Sequence, residues 1–210
     1  EDLALLLSGN QRVSSHIEFG AHQAILVTCE ESKARLPEVL SAGLVLTIYE
    51  AKGLEFDDVL LYNFFADSQA DKEWRVVTEF LNQLAVDPVS SGGDNLVEID
   101  SAVLELANRP RPLNFDPDQH KILNSELKQL YTAITRARVN VWIFDRDPQS
   151  RGPMFEYFKA RKLVQCVQAK EGGSLSENYF FAQKSTPQQW RKSGDMFMSQ
   201  KQFSLAAKCF

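Results

Sequence analysis

Four short, uninterrupted apolar runs constrain this chain more than any other feature. Residues 24–27, 44–48, 59–62 and 141–144 lack the in-out alternation of a half-exposed strand. That is the pattern of strands covered on both faces, and such strands need helices above and below. Helical candidates lie between them at 31–40 and at 125–138, where Leu127, Leu130, Tyr131 and Ile134 recur at i, i+3, i+4 and i+7. Strands alternating with helices predict an α/β fold with a mainly parallel sheet flanked by helices.

At 210 residues and 44% hydrophobic, the chain can bury a real core without covalent staples. Cys29, Cys166 and Cys209 lie far apart, with no CxxC pair. A disulfide scaffold or structural zinc is not expected, and the thiols read as reduced and buried. Lys plus Arg number 23 against 28 Asp plus Glu, a net charge of -5. No global basic field draws the protein onto phosphate backbones, so any nucleic-acid site is local or shared. No apolar run is long enough to span a bilayer, and no leader pattern is visible. The expectation is a soluble intracellular protein, nuclear or cytoplasmic, with no membrane partner.

The start of the chain reads as a cut end, an apolar run at 3–7 followed by Ser8-Gly9-Asn10. Between the third and fourth strands an insertion at 66–124 carries an amphipathic helix (Trp74, Val77, Leu81, Leu84), a Ser-Ser-Gly-Gly loop at 90–93 and an Arg-Pro-Arg-Pro stretch at 109–112. Such an interruption reads as part surface subdomain, part disorder. A Gly-, Ser- and Gln-rich break then divides a first domain, 1–165, from a helical tail, 186–210, with 166–185 as linker.

Two stretches carry candidate chemistry. The first is Thr47-Ile48-Tyr49-Glu50-Ala51-Lys52-Gly53-Leu54-Glu55-Phe56, a strand running into a Lys-Gly turn, a glutamate and the acidic start of the next strand. Ligands in α/β sheets bind where strands end in loops, and a glycine there permits close backbone approach. An ordinary turn explains the same residues. The second stretch, Leu130 to Arg138, ends in Arg136 and Arg138. Cations in a last helical turn complement the dipole, whereas a guanidinium aimed outward is a phosphate fork.

Taken together and in this order, T-x-x-x-x-K-G-L-E-F and Y-x-A-x-T-R-A resemble the fifth and sixth motifs of superfamily-1 helicases of the UvrD/Rep type, over about residues 20–160. The resemblance implies a second RecA-like lobe of a two-lobe ATP motor. It assigns Arg136 the arginine-finger role, a catalytic one. It gives Gly53, Glu55 and Arg136 to the nucleotide, and Thr47 and Tyr49 to a single strand, DNA before RNA. It implies ATP and Mg2+ in the two-lobe protein, none bound to this lobe alone, and an upstream first RecA-like lobe in the same polypeptide as partner. Tyr49 stands where the family usually has histidine: it can stack on a base but cannot become a cation. No phosphate-cradling G-x-x-x-x-G-K-[ST] occurs. Leu127 and Lys128 stand where the sixth motif usually opens with two arginines. The alternative reading is a degenerate helicase-like scaffold for protein interaction.

Trp190, Gly194, Phe197, Ala206 and Phe210 resemble the spacing of a tetratricopeptide repeat, with Ser193 in place of the usual leucine. The resemblance implies protein partners through a TPR-like tail. The bland alternative is an amphipathic helical hairpin. His16, His22 and His120 read as surface or loop residues, Trp74 and Trp142 as core anchors, and Asp57-Asp58 as the cap of a strand entrance.

Overall fold

The computed structural model describes residues 19–41, 43–86, 98–105, 109–166 and 184–210. The apolar run at 3–7, Ser8-Gly9-Asn10, His16, the loop at 90–93 and nearly all of the expected linker lie outside the described residues. The chain forms two compact units. The first comprises residues 1–62, 130–144 and 168–210; the second comprises 63–129 and 145–167.

In the first unit the four apolar runs become four strands: β1 (Gln23–Val27), β2 (Leu44–Thr47), β3 (Phe56–Tyr62) and β4 (Ala137–Phe144). They form one all-parallel sheet in the order β2-β1-β3-β4. This is the α/β architecture expected of a RecA-like lobe. Every residue of β1 and β2 is buried, which is why neither strand alternates in sequence. On one face Phe19, Ile25, Val27, Leu40, Val45, Leu60 and Tyr62 pack together, with Leu36, Trp142 and Phe144 against them. Tyr62 and Phe144 stack with centroids 5.6 Å apart. Trp142, expected as a core anchor, is only partly buried against this cluster, because β4 pairs with β3 alone and is largely exposed.

The expected helix at 31–40 is shorter than its pattern. Helix α1 covers Glu30–Ala34, and a separate 3-10 turn covers Glu38–Leu40. Pro37 divides them, since a proline restricts the residue before it to extended backbone.

In the second unit, α2 (Arg75–Val86) follows a 3-10 turn at Asp71–Trp74, and buries Val77, Thr78, Leu81 and Leu84. Trp74 is 1% exposed, edge-on to Phe64 and Phe65. The helical pattern of the insertion is therefore realised, with a short helix α3 at Ser101–Leu104; α5 at Pro148–Ala160, which follows β4 in the chain, belongs to the same unit. Arg109, the first residue of the Arg-Pro-Arg-Pro stretch, pairs with the buried Glu156. His120 is the loop residue expected but not a surface one: 6% exposed, it accepts the Asp116 N–H on Nδ1 at 2.8 Å and stacks on Phe115. The thiols need a correction, because only Cys209 is buried, Cys166 being exposed and Cys29 in between.

Helix α4 (Lys121–Ile134) starts and stops four residues before its expected bounds. Its buried stripe is Leu123, Glu126, Leu130 and Ala133, while Tyr131 is 71% exposed. The rotation follows from Glu126. Its carboxylate accepts the Ser68 hydroxyl and the Gln69 N–H, and Trp74 Nε1 donates to the same Ser68 Oγ at 2.7 Å. A satisfied buried carboxylate is invisible to a search for apolar periodicity.

Candidate functional site

Because α4 stops at Ile134 and β4 starts at Ala137, Arg136 lies between them and not in a last helical turn. The dipole explanation still holds in part, because the side chain reaches back to the Thr132 carbonyl in the last turn of α4. Its half-buried guanidinium is held from three sides: Nε donates to the Thr132 carbonyl at 3.0 Å, Nη1 to the Leu54 carbonyl at 3.1 Å and Nη2 to Thr135 Oγ1 at 3.1 Å. Thr135 is itself oriented by donating to the Thr132 carbonyl at 3.0 Å. The Phe56 N–H donates to the Arg136 carbonyl at 2.9 Å. A guanidinium has five N–H donors, so these bonds leave one on each terminal nitrogen.

The Leu54 carbonyl belongs to the Lys-Gly-Leu-Glu segment, so the two sequence stretches meet. Gly53 has φ of +84°, a backbone region that L side chains rarely adopt, yet a Cβ there would meet nothing within 4 Å. The turn, not crowding, requires the glycine. Beyond it Leu54 and Phe56 are buried and Glu55 between them is exposed, at the start of β3. Next to this pair, Arg138 Nη2 binds Asp57 Oδ1 at 2.7 Å, and Asp58 accepts Asn140 Nδ2 at 2.8 Å and Gln23 Nε2 at 2.9 Å. The two aspartates tie the entrances of neighbouring strands. Gly53, Glu55 and Arg136 thus collect at the amino rim of the sheet.

Thr47 and Tyr49 lie at the other end. Thr47 pairs with Val27 on β1, next to Leu26, which pairs with Leu61 on β3. Thr47 is therefore level with the carboxyl end of β3, about 20 Å along the strands from Phe56 at 3.3 Å per residue. A motif continuous in sequence is divided between opposite rims. Nor are the nucleotide candidates at the strand ends where α/β sheets usually bind ligands; only Thr47 and Tyr49 are.

Thr47 is 6% exposed and occupied locally. Its Oγ1 accepts the Glu50 N–H at 3.1 Å, and Glu50 Oε2 accepts the Thr47 N–H at 2.7 Å and hydroxyl at 3.2 Å. This is a reciprocal capping box, and T-x-x-E is its sequence signature. Lys33 on α1 pairs with the same carboxylate. Burial works to raise the Glu50 pKa, but Lys33 and the Thr47 donors outweigh it and hold the group below its ordinary value. Lys33 is held above its own, burial notwithstanding, by Glu30 and Glu50. Tyr49, standing above this network, is 85% exposed. Glu50 and Lys33 are carboxyl-rim residues that no motif singles out; the T-x-x-E capping signature points to the first, and no local signal points to the second.

In the tail, α6 (Pro187–Ser199) begins with a capping box between Thr186 and Gln189, and α7 (Phe203–Cys209) follows a tight turn in which the Gln202 N–H donates to the Phe197 carbonyl at 2.8 Å. A Cβ on Gly194 would sit 2.7 Å from the Phe210 ring. Phe197 and Ala206 are buried. The small and large residues at these positions are thus matched across a helical hairpin, as the repeat-like spacing requires.

Comparison with known proteins bears on both parts. The whole chain is 49% identical over 214 residues to TPR and ankyrin repeat-containing protein 1 of Homo sapiens, covering 7% of that protein. The chain is also similar to helicase/nuclease proteins. It is 29% identical over 113 residues to an ATP-dependent helicase/nuclease of Lactococcus lactis subsp. lactis, and 27% over 118 residues to the exonuclease/helicase protein RexA of Lactococcus lactis subsp. cremoris. Each alignment covers 52% of this chain and 9% of the relative. The chain therefore spans less than a tenth of the length of these proteins. No family profile and no solved structure matches. Among the described residues no helix is long and apolar enough to cross a membrane, and no three His, Cys, Asp or Glu converge on a metal-sized centre.

Proposed function

We propose that this chain is the second motor lobe of an ATP-dependent superfamily-1 nucleic-acid translocase or helicase, and that it lends its amino rim to a nucleotide held by a first RecA-like lobe of the same polypeptide. The observation that carries the reading is the hydrogen bond from Arg136 to the Leu54 carbonyl. It joins the two helicase-like motifs at one rim, between residues 82 positions apart in sequence. The partial similarity to helicase/nuclease proteins supports it.

ATP and Mg2+ are cofactors of the two-lobe protein, bound by the other lobe, since no phosphate-cradling loop is present in this sequence. The group fits what this chain offers. Arg136 keeps two N–H donors that a γ-phosphate oxygen could accept, and Glu55 presents a carboxylate that can accept a ribose hydroxyl. The Thr132, Leu54 and Thr135 acceptors fix the direction of the fork, which is what preorganisation for a developing phosphate charge demands. At the opposite rim Tyr49 offers an exposed ring for a single-stranded base, DNA before RNA, while Thr47 acts through the capped turn beneath it. The tail hairpin is the seat of protein contacts.

The test is Arg136→Ala in a polypeptide carrying both lobes. ATP turnover should fall about 10³-fold or more, the scale of an arginine finger; unchanged turnover removes the motor reading. A second reading, a catalytically degenerate scaffold, is favoured by the same guanidinium, because three of its donors are committed inside its own lobe. Titration calorimetry with a non-hydrolysable ATP analogue and with single-stranded DNA separates the two. Binding of both supports the motor, and binding of neither supports the scaffold.

A further inference from the structure

The tail hairpin is fastened to the amino rim of the sheet, the rim that carries Arg136. Ser185 Oγ accepts the Ala21 N–H at 2.9 Å. Ser193 Oγ donates to the Ala21 carbonyl at 3.3 Å, in a buried contact. Both backbone polar groups of Ala21 are therefore satisfied by serines of the tail. Ser193 is the residue that stands where a tetratricopeptide pattern has leucine, and a leucine has no donor to satisfy this carbonyl. The departure from the repeat pattern thus coincides with the docking contact.

From Ala21 the hydrogen bonds continue. The next carbonyl, that of His22, accepts the N–H groups of Asp57 at 2.8 Å and Asp58 at 3.5 Å. The Asp57 carboxylate takes Arg138, and the neighbouring Phe56 N–H donates to the Arg136 carbonyl. Gln23 supplies a parallel tie, its Oε1 accepting the Gly20 N–H at 3.0 Å and its Nε2 donating to Asp58. A turn at a sheet rim frays easily, because strand ends open at low cost. Here its outer side is closed by the hairpin.

We infer that the tail is a positioning element for the amino rim: docked through Ser193 on α6 and through Ser185 just before the hairpin, it fixes the turn at 20–22 and, through His22, the start of β3 beside Arg136. A protein that engages or pulls the tail then acts on the rim directly. This goes beyond the motor reading and does not need the rim to bind ATP, so a scaffold with the same contacts would behave alike.

Residue-resolved amide hydrogen exchange on the 210-residue chain tests it. In Ser185→Ala/Ser193→Ala, which deletes the two hydroxyls alone, the amides of Ala21, Asp57 and Asp58 should exchange about tenfold faster, while Ile25 and Leu26 in mid-strand stay within about twofold. Faster exchange confined to residues 187–209 would show the hairpin to be a passenger and overturn the inference. So would no change anywhere, or a uniform rise that includes Ile25 and Leu26. Ser193→Leu is the stronger variant. It should release the same three amides and leave the β1 centre protected; if it unfolds the chain outright, the alanine pair decides.

Discussion

The two rims of the sheet are held by different physics. At the carboxyl rim Thr47, Glu50 and the turn between them form a capping box from residues three apart, and Lys33 adds one ion pair. At the amino rim the contacts come from far along the chain: Leu54 is held by a guanidinium from a distant helix-strand junction, Asp57 by Arg138 of the neighbouring strand and Ala21 by a serine of the tail. A local motif survives changes elsewhere in the fold, whereas an assembled rim depends on each of its distant contributors. Substitutions should therefore cost more, and spread further, at the amino rim.

Arg136→Ala should cost the most stability, about 2–3 kcal/mol in urea denaturation of the chain, since it removes three charge-assisted contacts and strands the carbonyl of the buried Leu54. A loss no larger than that of a surface substitution would break the comparison. Gly53→Ala follows at about 1–2 kcal/mol, because alanine must enter the left-handed region, with no clash to add. Thr47→Ala at the other rim should cost about 1 kcal/mol, the usual price of an N-cap, and should leave amide exchange at residues 53–58 unaltered. Tyr49→Ala should change stability by less than about 0.5 kcal/mol. On the motor reading it should still weaken single-strand binding by about 1–3 kcal/mol, read by fluorescence anisotropy with the two-lobe protein. Unchanged binding would take the carboxyl rim out of the strand path.

pH sharpens the contrast. Because the folded-state pKa of Glu50 lies below its ordinary value of 4.5, its stabilising contribution is complete above that value and is lost as pH falls through the folded pKa. Lys33 lies above its ordinary 10.5, so its contribution is complete below that value and is lost as pH rises through the folded pKa. The pair holds the carboxyl rim across the whole neutral range. Glu50→Gln should flatten the acid limb of a stability-against-pH curve below about 4.5 while leaving the neutral plateau's shape intact; an unchanged acid limb would show that the ion pair contributes nothing.

Strand existence, the parallel α/β class and the α2 helix were legible because buried β1 and β2 and the amphipathic α2 write their environments into apolar periodicity. The capping box was legible in principle, as T-x-x-E, but was overlooked inside a longer motif. Helix ends were less so. Pro37 cut one helix short, and the buried, hydrogen-bonded Glu126 turned the stripe of another so that Tyr131 faces outward. In the tail, the spacing of Gly194 and Phe210 foretold the hairpin, while the meaning of Ser193 emerged only from its contact with Ala21.

By itself the sequence marked, through its apolar runs, the four strands and the burial of β1 and β2, but not the exposure of β4, whose run at 141–144 reads as covered on both faces and is at most half-buried. It also marked where a glycine had to turn the backbone and which two motifs travel together. It could not say that Thr47 and Glu55 stand at opposite ends of the sheet, that Arg136 has left its helix, or that a tail serine closes the turn before β1. Those are matters of register and distant hydrogen bonding. Periodicity reports the environment of a single side chain, whereas a parallel sheet places residues by pairings between segments tens of residues apart, and no local pattern encodes which rim each pairing will put them on.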